Sequence, residues 1–288
     1  MAGANTPSTA SAYNEIGWKT EALSALLSPR FLMSRMHDMS SEARGFKGQV
    51  LDIGEMHELE DSDVGANGEV TPIVYTPILN TLTINRYRNV AMDWRDDHDL
   101  QVKYGKSAWG KFIGEGLRKG AEKYFLSLET GVPAANTTDI AGSNTETVMN
   151  TLLADTITGR WLSGSKHMLV SPGQMSAMLL DDVFKESTFV GEDNLFMKTG
   201  KVSMFLGFEF LVSDLVRRVD KSGTTRTVNM AWRGGEGGAF VKAFQQEVKM
   251  KHIQIDLAES VIGSVLYGGA INGSADRNQI ELLRSTDA

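Results

Sequence analysis

The sequence predicts a mixed α+β fold, and three observations carry that reading. The stretch from Asp99 to Thr130 has the apolar period of one long amphipathic helix. Short runs with the alternation and composition of strands stand before and after it, at Gln49–Ile53, at Leu82–Trp94 and again from Val202 to Ile271. Helix and strand patterns interchange after the long helix without a fixed spacing, so no internal repeat organises the chain.

Composition narrows the function. The 288 residues are enough for one large or two smaller domains. With 29 basic and 36 acidic side chains the net charge is -7, which gives no overall attraction to phosphate and leaves room only for local contact with nucleic acid. Cysteine is absent, which excludes disulfides, thiolate metal sites and cysteine nucleophiles. No apolar run reaches a membrane-spanning length, and the N-terminus lacks a basic segment followed by a hydrophobic one. Synthesis in a cytoplasm, with no membrane partner, is therefore expected.

In chain order, residues 1–14 are small and polar and cannot bury enough surface to order on their own. From Glu15 the pattern changes: Ile16, Trp18, Leu23, Leu26, Leu27, Phe31, Leu32 and Met33 form short amphipathic pieces broken at Pro29. Such an arm either lies on a neighbour or joins the core of its own chain. Between Gly45 and Trp94, two strand-like runs flank a long excursion that carries Glu58, Glu60, Asp61, Asp63, Gly65, Asn67, Gly68 and Glu69. This predicts an extended hairpin with an acidic tip and no lysine.

The long helix follows. Asp96, Asp97 and Asp99 suit its positive end, while Gly131 and Pro133 mark its stop. At about 1.5 Å per residue it would run roughly 45 Å. Trp109, Phe112, Ile113, Leu117, Ala121, Tyr124 and Leu128 define a dry face; Lys111, Glu115, Arg118, Lys119 and Glu122 define a wet one. Gly105, Gly110, Gly114, Gly116 and Gly120 each cost on the order of 1 kcal/mol in a helix. Gly116 and Gly120 are read as places where another backbone crosses closely.

Beyond the helix, Ala134–Asn144 is a polar linker, and Ser143 with Glu146 forms a capping-box pattern before Val148, Leu152 and Leu153. A strand at His167–Val170 ends at Ser171-Pro172-Gly173, and Gln174–Lys185 follows as a helix with Met175, Met178, Leu179 and Val183 inward. Val202–Ser213 is β-prone, Ser222–Thr225 is a turn, and Gly234–Gly238 separates strands at Val228–Trp232 and Ala239–Phe244. The apolar runs through Ile255 and from Val261 to Ile271 complete the pattern.

No constellation for catalysis emerges. Gly105-Lys106-Ser107 resembles the end of a phosphate-binding loop, but Leu100 stands where that motif needs glycine. The glycines at 234–238 lack the lysine and following helix of a phosphate cradle and read as a mobile turn. His37, His57, His98, His167 and His252 lack zinc spacing. Ser171 and Ser213 stand outside a nucleophile-elbow context. Asp96, Asp97, His98 and Asp99 could bind a divalent ion, which would make the chain a metal-dependent hydrolase, but a helix start explains them better. No cofactor or metal is expected.

The joint order of these pieces resembles the major capsid proteins of tailed phages, the Hong Kong 97 type fold. The pieces that carry the resemblance are the run Leu82–Trp94 leading into the long helix, Lys166–Pro172 before the next helix, Leu206–Ser213, and Ser264–Gly269 ending in Tyr267-Gly268-Gly269. The likeness implies an N-terminal arm (1–44) and an extended loop (45–94). It also implies a peripheral domain with a spine helix (95–131 and 239–256) and an axial domain (132–238 and 257–288). It implies many copies of the chain, as pentamers and hexamers, forming an icosahedral virion shell around double-stranded DNA and assembled in the host cytoplasm. Lacking a lysine at the loop tip, the chain would be laced noncovalently; a separate scaffolding protein and a portal are expected partners. Packaged DNA would be touched only weakly and without sequence preference. Charge complementarity nominates Glu58, Glu60, Asp61 and Asp63 of one copy against Arg118, Lys119, Lys249 or Lys251 of the next, with Arg86 and Arg88 as further contact candidates. Encapsulins, compartments of the same fold that hold enzymes, are the nearest alternative.

Overall fold

The structure is a computed structural model that describes residues 19, 22, 32–45, 48–55, 78–95, 109–140, 150–154, 161, 164–180, 204–205, 207–221, 224–235, 238–255, 258–272 and 279–285. Its framework is a long antiparallel pair, β11 (Phe240–Ile255) and β12 (Ala258–Ile271). They sit in a four-stranded sheet of order β1-β11-β12-β4, with β1 (His37–Asp38) parallel to β11 and β4 (Arg86–Arg95) antiparallel to β12. The register shifts in β11 between Phe244 and Lys249, where a bulge lets two long strands of unequal count stay paired.

One face of this sheet carries helix α2 (Trp109–Ser127), which ends in a 3-10 turn at Leu128–Gly131. Its 19 residues span about 28 Å. The expected start at Asp96–Asp99, and with it the full 45 Å length, lies outside the described residues. Trp109, Ile113, Leu117, Ala121 and Phe125 are buried as the period requires, together with Phe240, Phe244, Val248, Val261, Val265 and Tyr267 of the sheet. Two assignments move: Phe112 is 47 % exposed, whereas Glu122, expected in water, is only 3 % exposed.

Glycines of the strand β12 permit close packing against the helix. A Cβ added at Gly263 would collide with the Ile113 side chain, and one at Gly269 would come within 2.7 Å of the Phe125 ring. Within α2, Gly116 faces only the Val90 side chain at 3.2 Å, and nothing lies within 4 Å of Gly120. The expectation of a backbone crossing at Gly116 and Gly120 is therefore corrected within the chain: bare strand positions receive the helix side chains.

The opposite face of the sheet holds α1 (Ser40–Gly45) and a two-stranded hairpin of β2 (Val50–Glu55) and β3 (Ile78–Thr83). Leu51, Ile53, Leu82 and Ile84 pack with Met39, Ala43, Val241 and Ala243. The run Leu82–Trp94, expected as one strand, is two: β3 ends at Thr83, and β4 starts at Arg86 and joins the other sheet. The first part pairs with β2 and the second with β12, so the strand breaks where it changes partner.

A second sheet has the order β5-β13-β10-β6-β8-β7, with β9 (Arg218–Lys221) against β10. Its members are β5 (Thr137–Asp139), β6 (Ser165–Val170), β7 (Met204–Phe205), β8 (Phe208–Val212), β10 (Thr224–Gly234) and β13 (Ile280–Ser285). Leu169, Met230, Trp232, Ile280 and Leu282 face the α2 core. Met168, Val170, Phe208, Phe210, Ala231 and Leu283 face a second core with Trp161 and with Met175 and Met178 of α3 (Pro172–Leu180). The sequence reading misses β13, because both its faces are buried and its side chains do not alternate. The sheets also divide the chain differently from the expected domain boundaries: residues 258–271, assigned to the axial part, lie between β11 and β4 beneath α2.

Candidate inter-subunit surface

Among the nominated residues, Glu58, Glu60, Asp61 and Asp63 lie outside the described residues; the hairpin that would present them is described at its base only, as β2–β3. The six nominated cations do not form one seat. Val90, Gly263 and Met250 stand opposite one another across three strands, and Val90 and Met250 pack into the core beneath α2. The next positions along each strand point the other way. Those are Asn89, Ser264 and Lys249, then Ala91, Ile262 and Lys251. Lys249 and Lys251 are thus exposed on the face opposite α2, while Arg118 and Lys119 belong to α2 itself. A sheet separates the two pairs.

Arg86 and Arg88 alternate onto the α2 side of β4. The Arg86 guanidinium lies 4.8 Å from the centre of the Tyr124 ring, a cation–π contact within the chain. Arg88 lies beside Tyr267, whose phenol burial pushes above its ordinary pKa against the pull of Arg88. Tyr87, between the two arginines, points to the opposite face and is 61 % exposed. The face opposite α2 therefore combines Tyr87, Lys249 and Lys251 beyond the ground that α1 and the hairpin base cover.

Residues 32–38, assigned by sequence to the arm, are clasped onto the body. The Leu32 N–H donates to Glu122 Oε1 at 2.7 Å, and Lys242 Nζ donates to the Met33 carbonyl at 2.7 Å and lies 3.1 Å from Asp38. Leu32, Met33 and Met36 enter the α2 core. Burial raises the Glu122 carboxyl to about 7, against the backbone N–H groups of Leu32 and Met33 and the charges of Arg118 and Lys242. Burial likewise raises Glu129 to about 7, opposed by Arg217 at 3.5 Å. The sequence reading missed Glu122, although Phe125 and Leu126, three and four residues on, already widen the dry sector there.

The same segment reaches the second sheet through Arg35, which forks onto Glu209, with Nε 3.1 Å from Oε2. His167 Nδ1 lies 2.8 Å from the same carboxylate, and its Nε2 is 2.9 Å from the Ser165 hydroxyl. The order Ser165, His167, Glu209 is that of a nucleophile relay, but Arg35 takes up the negative charge that would strengthen the imidazole as a base. Burial depresses the His167 pKa, and Trp232 packs against the ring with centroids 5.4 Å apart. This cluster fastens the segment.

The two serines considered as nucleophiles have local duties. Ser171 accepts the Gln174 N–H at 3.0 Å as the N-cap of α3, and Ser213 accepts the Leu215 N–H at 3.1 Å. The glycine cluster after β10, expected as a mobile turn, is hydrogen-bonded: Gly238 N–H donates to the Gly235 carbonyl at 3.0 Å and Ala239 N–H to the Arg233 carbonyl at 2.9 Å. Gly235 has φ +85°, which favours glycine. Among the described residues no group of three or more His, Asp or Glu side chains could hold a metal, and Asp96–Asp99 lie outside them. No helix of the described residues is long and apolar enough to cross a membrane.

No family model and no curated protein matches the sequence. Solved structures do. The mature capsid of bacteriophage PhiM1 superposes with a TM-score of 0.66 at 9 % identity, covering 91 % of this chain and 89 % of that one. A structure from Mycobacterium phage Che8 gives 0.63 at 14 %, over 84 % and 87 % of the two chains. The SrpI encapsulin of Synechococcus elongatus gives 0.56 at 14 %, over 91 % and 89 %. The agreement runs nearly end to end in both directions while identity stays low, so it speaks to architecture. This chain has the Hong Kong 97 type capsid fold.

Proposed function

We propose that the chain is the major capsid protein of a tailed phage. Many copies, arranged as pentamers and hexamers, form the icosahedral virion shell around double-stranded DNA, assembled in the host cytoplasm with a separate scaffolding protein and a portal. The observation that carries this reading is the end-to-end match to phage capsid subunits. The subunits are held noncovalently, and the shell performs no catalysis. In this reading the acidic tip of one copy's hairpin lies on the neighbour's sheet face at Lys249 and Lys251, which keeps the charge pairing expected from sequence and restricts it to these two lysines. Arg118 and Lys119 stand on the other side of the sheet and serve a different purpose. The arm (residues 1–44) and the extended loop that opens at residue 45 are retained in this proposal, with residues 32–44 as the arm's root and with β4, the last part of the expected loop 45–94, belonging to the sheet of the body.

Expression with and without the scaffolding protein, followed by electron microscopy and nucleic-acid extraction, tests the reading. Closed shells that take up DNA support it. Shells that co-purify with an enzyme instead would move the chain to the encapsulin side of the fold. A metal-stimulated hydrolase activity from residues 96–99 without any shell would overturn it. The seat makes its own prediction: Lys249→Gln with Lys251→Gln will reduce assembly about tenfold at low salt, and the deficit will shrink as salt screens the wild-type contact. Wild-type yields from the double variant at every salt concentration would remove this seat.

A further inference from the structure

We infer that the exposed side of α2 is a contact surface for the phosphate backbone of nucleic acid. Lys111, Lys119 and Lys123 are exposed on this helix, with Arg118 half-buried beside them. Of the two acids of α2, Glu122 is buried and Glu115 is half-buried, as Arg118 is. Among the described residues no ion pair engages Lys111, Lys119 or Lys123. A chain of net charge -7 thus presents three exposed lysines and half-buried Arg118 against a single half-buried carboxylate, Glu115, on its longest helix.

The shape of the stripe selects the occupant. Lys111, Lys119 and Lys123 are separated by multiples of four residues and extend over about 18 Å along the axis. Gly116 and Gly120 are exposed in the same sector, and half-buried Glu115, one turn from both Lys111 and Lys119, is the one acid within the row. A row of flexible, singly charged ammonium groups suits a uniformly charged polymer without reading its sequence. The acids Glu58, Glu60, Asp61 and Asp63 are paired in the proposed function with Lys249 and Lys251, which lie on the other side of the sheet. The two faces then divide the work, one toward siblings and one toward the enclosed duplex. The biological meaning rests on the proposed shell, but the contact itself can be measured without it.

The test uses unassembled full-length chain and a 30-base-pair duplex of random sequence. Three phosphates neutralised at about 0.9 in log–log slope each predict a loss of roughly 40-fold in affinity between 50 and 200 mM salt. The triple variant Lys111→Gln, Lys119→Gln, Lys123→Gln will lose that component. The corresponding lysine-to-arginine triple will keep it, and the Lys249→Gln, Lys251→Gln variant will bind DNA as wild type does. Circular dichroism and thermal melting identify any glutamine variant that fails to fold, in which case Lys119→Glu alone must reduce the slope by about one. Unchanged affinity and slope in the glutamine triple overturn the inference. So does a triple that binds DNA normally but cannot assemble, since the stripe would then be a seat for a second copy. A wild type that binds DNA through these lysines but never forms shells would sink the capsid reading and leave this one standing.

Discussion

The Gly268→Ala substitution will destabilise the full-length chain by about 3 kcal/mol and lower its melting midpoint by roughly 5–10 °C. The added methyl would collide with the Thr83 carbonyl oxygen and stand 2.8 Å from the Ile84 Cα. Both are backbone atoms at the point where the chain leaves β3 for β4, and neither can swing aside as a side-chain tip would. Relief requires moving the hairpin off the sheet, which opens the packing of Leu82 and Ile84 against Val241 and Ala243. Gly120→Ala is the internal contrast. That position is exposed and meets nothing within 4 Å, so the substitution should stabilise α2 by roughly 0.5–1 kcal/mol through helix propensity. Calorimetry on the two variants separates them in sign; equal melting midpoints would mean that the hairpin does not cross β12 where described.

The second large effect is a pH dependence centred on Glu122. Its folded-state pKa, about 7, lies above its ordinary value of 4.5, so the folded chain holds this proton more tightly than the unfolded chain does. Stability therefore falls as pH rises above 4.5 and levels off once the pH passes the folded value. A shift of this size corresponds to about 3 kcal/mol. Glu122→Gln keeps an oxygen for the Leu32 N–H and removes the charge. The variant should match wild type at pH 5 and exceed it by roughly 2–3 kcal/mol at pH 8.5 in urea unfolding. Glu129, raised by burial to the same region, leaves a residual slope in the variant. Superimposable pH profiles for the two proteins would show that Glu122 is not buried against the Leu32 turn. At neutral pH this makes the root of the arm sensitive to proton concentration.

The sequence showed helix α2, the strand-flanked excursion that opens at β2 and the strand character of β11 because each carries a local signal: a 3.6-residue period, an acidic stretch between apolar runs, or β-branched and aromatic density; the pairing of β11 with β12 was not legible, and the reading divided the two between domains. It showed less of what depends on distant partners. β13 is buried on both sides and lacks alternation. β4 separates from β3 only because Val261, Val265 and Tyr267 on another strand receive it. Glu122 looks solvated until the Leu32 turn, ninety residues earlier in the chain, folds over it. The cations were chosen by charge, and charge alone gives no facing; the parity of Met250 against Lys249 and Lys251 does, once the register with β12 is known.

Cryo-electron microscopy of shells assembled from the full-length chain is the most direct measurement. The account predicts density for residues 56–77 crossing to an adjacent copy and ending over its Lys249 and Lys251, with α2 on the other wall. It would be contradicted by a loop folded back onto its own β2–β3 base with no sibling beneath it.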